Sequence, residues 1–275
     1  MLHPKARSWR RAVPVALACL LLLLPLAGAV ARGEPLRIAG DPWPPYVDRA
    51  LPHHGLSVGI VTEALTRAGH TTRLTITEWE HVMEGTQAGS FDLIVDAWES
   101  EERAKVFAFS EPYLFNELKL VKLADAPFSF EDILARARPE LTMGLVRDYA
   151  YGEALAPLRA YANRNETYLI QILLRLIQGE VDFVVGDDRA VRYHVRETLR
   201  AHAQRIQIAP EALSRAGLRV AIALDHPRRQ EVLTDFSRGI ASMREDGTLA
   251  KLFAEFGIEE DAASAEPAQG AAGTP

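Results

Sequence analysis

Cysteine is nearly absent: a single Cys in 275 residues excludes an internal disulfide framework and any cysteine-based zinc site. Basic charge is also short, with 31 Lys and Arg against 37 Asp and Glu and a net charge of −6. A nucleic-acid partner is therefore not expected, because it would need clustered Lys and Arg. The eight histidines show no ligand spacing; His53 and His54 are adjacent, without an H-x-x-x-H pair or a Cys partner. A G-x-S-x-G nucleophile turn and a Gly-rich phosphate loop ending in Lys are both missing. No metal or cofactor is expected from these patterns. Beyond residue 31 no apolar run approaches the 18 residues of a spanning helix. What remains is ordinary for a globular chain, with 48% hydrophobic and 25% charged residues, enough for one large domain or two modest ones.

The first 31 residues read as an address. Lys5, Arg7, Arg10 and Arg11 precede a stretch from Ala12 to Ala31 without a charge, which includes five consecutive leucines, Leu20 to Leu24. The stretch closes on Ala29-Val30-Ala31. A basic start, an apolar middle and an A-x-A end predict a signal peptide cut after Ala31, and hence a protein of the periplasm. Cys19 falls inside the apolar segment, where Ala16 stands in the place a lipid-attachment signal would give to Leu. Cleavage would remove four basic side chains and no acidic one, taking the net charge from −6 to about −10.

Downstream, short β-rich runs alternate with helical periodicity, the pattern of an α/β fold. Strands are predicted at Leu36–Ala39, Thr71–Thr77 and Asp92–Ala97, with helices at Leu56–Ala68 and Trp79–Ala88 ended by Gly69 and Gly89. This strand–helix–strand–helix–strand order calls for parallel pairing. The pattern restarts with a strand at Leu141–Val146, a helix over Tyr149–Tyr161 capped by Asp148, an apolar helix at Leu169–Ile177, and a buried strand at Val181–Gly186. Leu118–Leu123 links the two units. After Leu218–Ala223 come two helices, Gln230–Met243 and Thr248–Phe256. The tail 261–275, made of Ala, Glu, Gly, Ser and Pro, predicts disorder.

Four stretches carry a resemblance to a known family: Pro44-Pro45-Tyr46; Gly89 to Asp92 with Ser100-Glu101-Glu102-Arg103 and Phe109-Ser110-Glu111-Pro112-Tyr113; Gly179-Glu180-Val181-Asp182 with Asp187; and Asp246-Gly247-Thr248. In this order they resemble the family-3 extracellular solute-binding proteins, the polar amino-acid receptors of bacterial ABC importers. The resemblance implies a two-lobed periplasmic-binding-protein (flytrap) fold, each lobe a mixed sheet flanked by helices, with two crossover strands as hinge. Laid on this chain, lobe 1 is 33–118 with 218–258 and lobe 2 is 123–217. It implies a monomer that captures a small polar ligand, an amino acid or related carboxylate, and hands it to an ABC permease without chemistry. Exported cyclohexadienyl dehydratases share the resemblance, so an enzyme stays open, as does a receptor that senses without transport.

The same resemblance assigns Arg103 to the ligand carboxylate, through a bidentate pair that Lys would not reproduce, and Asp187 to the ligand ammonium. Asp187 closes a strand at its C-terminal end, where open α/β sheets place ligands; a helix N-cap is the alternative use of the same carboxylate. Tyr46, stiffened by two prolines, is expected as an aromatic floor, with Trp43 in the same loop as an equivalent choice. Tyr149 sits where the family uses small hydroxyl residues, and Asp96 and Trp98 occupy positions that are small or hydroxyl in relatives. Asp96 is open to three readings: neutralising Arg103, accepting from a ligand, or working as an acid or base.

Overall fold

The computed structural model describes residues 34–258; the expected signal peptide and the C-terminal tail lie outside them. The first half-sheet follows the expected order. β1 (Leu36–Gly40) lies parallel to β2 (Thr72–Ile76) on one side and to β3 (Leu93–Trp98) on the other. The connections are α1 (Leu56–Arg67) and α2 (Trp79–Gln87). All six residues of β3 are buried, which suits a central parallel strand covered on both faces. α1 buries Leu56, Val58, Ile60, Val61, Ala64 and Leu65. Gly55 precedes it with φ 107°, and a Cβ there would meet the Tyr46 carbonyl at 2.3 Å. Only glycine fits that approach, which clamps the Pro-rich loop after β1 against the start of α1.

From β3 the chain passes through α3 (Glu101–Ala104) and β4 (Phe107–Phe109) into β5 (Leu114–Leu123), a strand of ten residues. β5 is the bridge: its first half pairs antiparallel with β10 (Ser214–Ala223), Leu114 facing Leu218, and its second half pairs with β8 (Phe183–Asp187), Leu118 facing Asp187. β10 returns to the first half-sheet beside β3. Beyond β8 come β6 (Thr142–Val146) and β7 (Ala162–Glu166), both parallel. The full order is β2-β1-β3-β10-β5-β8-β6-β7; β4 also pairs with β10, and β9 (Ile206–Ile208) with β5. α4 (Phe130–Leu134), α5 (Leu169–Gln178) and α6 (Asp188–Glu197) flank the second half, and α7 (Arg229–Glu245) and α8 (Thr248–Glu255) return to pack on α1. Gly247 separates α7 from α8 in the left-handed region, φ 75°, as its place after Asp246 predicts.

One predicted element is absent. The helix expected over Tyr149–Tyr161 is replaced by a 3-10 segment at Gly152–Leu158, followed by β7. Asp148, the expected cap, has φ 62°, Gly152 has φ 52°, and Pro157 sits inside the segment. Two left-handed residues and a missing amide prevent an α-helix from propagating there. A helix start at Tyr149, whose free amides would receive an anion, therefore does not form.

Candidate ligand cleft

The C-terminal ends of β1, β3 and β6 converge on one cavity of about 730 Å³, the position at which α/β sheets hold small molecules. β1 delivers Asp41 and Trp43, β3 delivers Asp96 and Trp98, and α2 and α3 supply Trp79 and Arg103. From the other half come Asp148, Tyr149 and Tyr168. The halves touch across this cavity. Arg103 donates from Nη2 to the Asp148 carbonyl at 2.8 Å and from Nη1 to the Trp98 carbonyl at 2.8 Å. Its guanidinium lies 4.6 Å from the centre of the Trp79 ring, a cation–π distance. Burial lowers the Arg103 pKa to about 10, against the pull of Asp41, Asp148 and Asp96, so the group remains cationic at neutral pH.

The aromatic side chains form one cluster. Trp43 contacts Trp98 at 5.1 Å and Tyr149 at 5.5 Å, and Trp98 meets Tyr149 at 5.0 Å, all edge-on. Tyr151, behind Tyr149 at 5.4 Å, accepts from the Val146 amide and donates to the Val185 carbonyl. Tyr151 thus locks the end of β6, while Tyr149 is left to face the cleft.

Two aspartates four residues apart show what sets the site apart from the frame. Burial pushes the Asp92 carboxyl up, but hydrogen bonds from the Arg37 guanidinium and amide outweigh it and hold Asp92 below its ordinary value. Asp96 is only 2% exposed, and neither of its oxygens has a hydrogen-bond partner within the protein. Burial, reinforced by the charge of Asp41, raises its pKa well above the carboxylate range. Asp41 keeps partial solvent access, yet burial raises it to about 6, with Arg103 opposing. Arg103 and Asp96 form no ion pair; among the described residues the nearby ion pairs are Glu99–Arg219 and Glu102–Lys105. The silent salt bridge considered for Asp96 is thus not formed.

Five of the seven residues singled out from sequence, Arg103, Asp96, Trp98, Tyr149 and Trp43, line the cavity together. Asp187 and Tyr46 do not. Asp187 is fully buried and accepts from the Ala190 amide as N-cap of α6, from Tyr46 Oη at 2.8 Å and from Asn116 Nδ2 at 2.7 Å. Asn116 also donates to Tyr46 Oη, and its Oδ1 accepts from Trp98 Nε1 at 3.3 Å. Tyr46, Asn116 and Asp187 therefore form a buried polar knot behind the cleft, and Asn116 orients the Trp98 indole. Asp41 was the residue the sequence reading passed over, although its place directly after β1 satisfies the strand-end rule applied to Asp187. A separate trio, His70, Glu231 and Asp235, gathers ligand atoms within 4.8 Å; ion pairs of Glu231 with Arg228 and of Asp235 with His70 and Arg238 already occupy it.

The chain belongs to the bacterial extracellular solute-binding proteins of family 3, whose sequence model matches residues 36–259. No curated protein matches it. Among solved structures, a histidine kinase sensor domain with similarity to periplasmic binding proteins superimposes with a TM-score of 0.70 at 22% identity, covering 83% of this chain and 99% of that one. The ancestral amino acid-binding protein AncCDT-1, a precursor of cyclohexadienyl dehydratase, gives 0.65 at 21% identity over 80% and 94%. The amino acid ABC transporter substrate-binding protein AbpA from Streptococcus pneumoniae, bound to L-arginine, gives 0.65 at 19% over 80% and 93%. These likenesses establish the two-lobed α/β fold.

Proposed function

We propose that this protein is a periplasmic receptor that closes on one small polar solute, an amino acid or a related compound, and delivers it to an ABC permease. The observation that carries the reading is the cavity of about 730 Å³ walled by both halves of the sheet, with Arg103 clasping one half to the other. In this reading lobe 1 is 33–118 with 218–258, lobe 2 is 123–217, and β5 and β10 are the hinge. Segment 1–31 is the export signal. Arg103 spends two N–H groups on carbonyls and keeps the rest of its five donors for a ligand carboxylate. Tryptophan enclosure in place of hydroxyl residues narrows the choice of solute. AbpA and its relatives of similar fold support the amino-acid class.

The test is calorimetric titration with a panel of amino acids and amines, followed by Arg103→Ala. The substitution weakens binding by more than tenfold, at least about 1.4 kcal/mol, because a buried carboxylate loses its partner. Unchanged affinity removes Arg103 from the site.

One observation favours a second reading. A buried carboxyl with a raised pKa, facing a cavity, has the character of a general acid. In an enzyme Asp96 would protonate a leaving group. Turnover of prephenate or arogenate, abolished in Asp96→Asn, would establish this; no turnover by the unaltered protein ends it.

A further inference from the structure

We infer that the cleft selects a ligand of net positive charge, whose ammonium or guanidinium group seats between Asp41 and Asp96 on the cavity floor. The inference rests on the binding reading above and adds the chemistry of the ligand.

Asp96 is the starting point. A buried carboxyl is tolerated when donors satisfy it, as Arg37 satisfies Asp92 and as Ala190, Asn116 and Tyr46 satisfy Asp187. Asp96, 2% exposed on the wall of the cavity, has no donor on either oxygen. Arg103 does not supply one, since it forms no ion pair with Asp96 and is held by the Trp98 and Asp148 carbonyls over the Trp79 ring. The missing donor therefore comes from whatever fills the cavity.

The walls and rim agree in sign. Seven acidic residues line the cleft against two arginines, Arg103 and Arg147. Glu78, Glu80 and Glu84, at the start of and along α2, ion-pair with no described residue. An acidic mouth with low-dielectric walls concentrates cations and repels anions. Trp43, Trp98 and Tyr149 line the same space, and aromatic rings attract an organic cation. Trp43 Nε1, also buried without a partner, calls for one acceptor atom on the ligand, which a carboxylate or carbonyl provides.

The three tryptophans of residues 34–258, Trp43, Trp79 and Trp98, all line the cleft, so intrinsic fluorescence reports its occupancy. The purified protein is titrated at low ionic strength with arginine, agmatine and putrescine as cations, glutamine as a neutral probe and glutamate as an anion, while melting temperature is recorded in parallel. At least one cation is expected to change the fluorescence and raise the melting temperature by several degrees. Asp96→Asn, which keeps the shape but cannot release a proton to become the carboxylate that a bound cation stabilises, should weaken that cation by more than tenfold while its circular dichroism matches the unaltered protein. A response confined to glutamine or glutamate overturns the inference and leaves the receptor reading standing. Silence from every probe removes both. A cation held equally well by Asp96→Asn also overturns the inference, whatever the receptor binds.

Discussion

The two raised carboxyls of the cleft should be measurable in the empty protein before any ligand is known. Asp41 and Asp96 are both raised by burial, so the folded state keeps their protons at pH values where the unfolded chain has released them. Stability then falls as pH rises from about 4, and for Asp41 the fall is complete near pH 6. The rise of the Asp41 pKa from 3.8 to about 6 corresponds to about 3 kcal/mol at most, and its partial exposure reduces this to about 1–3 kcal/mol. Asp96, buried and with Asp41 beside it, extends the loss to higher pH. The facing groups that share the field are Arg103, Tyr113 and Asp41. The assay is urea unfolding from pH 4.5 to 8 for the unaltered protein, Asp41→Asn and Asp96→Asn. Comparing the curves cancels every group common to all three proteins. The unaltered protein should lose about 1–2 kcal/mol more than Asp41→Asn between pH 4.5 and 7, and Asp96→Asn should become the more stable protein as pH rises. Parallel curves for all three would refute the argument that burial in the cleft raises these two carboxyls.

Further expectations follow from other parts of the frame. His194 is buried with Nδ1 unpartnered, and burial lowers its pKa to about 4; the stability it contributes is present above pH 6.5 and lost towards pH 4, about 3 kcal/mol. His194→Leu should flatten that acid limb in urea titrations. A Cβ at Gly239 on α7 would lie 2.1 Å from the Ala64 carbonyl, so Gly239→Ala should destabilise by about 1–3 kcal/mol through forced separation of α1 from α7, read as a lower urea midpoint. Tyr46→Phe removes one of three donors from buried Asp187; about 1–3 kcal/mol of stability should be lost, while calorimetry with a bound solute shows less than a threefold change, because Tyr46 lies behind the cleft wall.

How far the sequence spoke depends on the range of the interactions that decide each feature. The βαβαβ order from Leu36 to Trp98 was legible because period and turn residues are local, and β3 announced itself as a run buried on both faces. The same strand carried the site, since Asp96 and Trp98 interrupt that run with groups a buried strand does not need. Asp187 illustrates the limit. A carboxylate closing a strand either faces the cleft or caps the following helix, and the choice here is made by Tyr46 and Asn116, 141 and 71 residues away. Tyr149 shows another: Asp148 reads as the cap of a helix, and the left-handed conformations of Asp148 and Gly152 override it. α6 went unread because a helix reading Asp188-Arg189-Ala190-Val191-Arg192 hides a narrow apolar face, Ala190, Val191 and His194, among charges. Asp41 went unread because the prolines around it drew the loop's assignment towards shape rather than charge.

The most direct test of the account is a fluorescence titration of the unaltered protein and of Asp96→Asn with arginine, agmatine and putrescine, paired with glutamate. A saturable change is expected with a cation, weakened more than tenfold by Asp96→Asn, and none with glutamate. Saturable binding of glutamate without any response to a cation would contradict the assignment of Asp41 and Asp96 as the floor of a cation site.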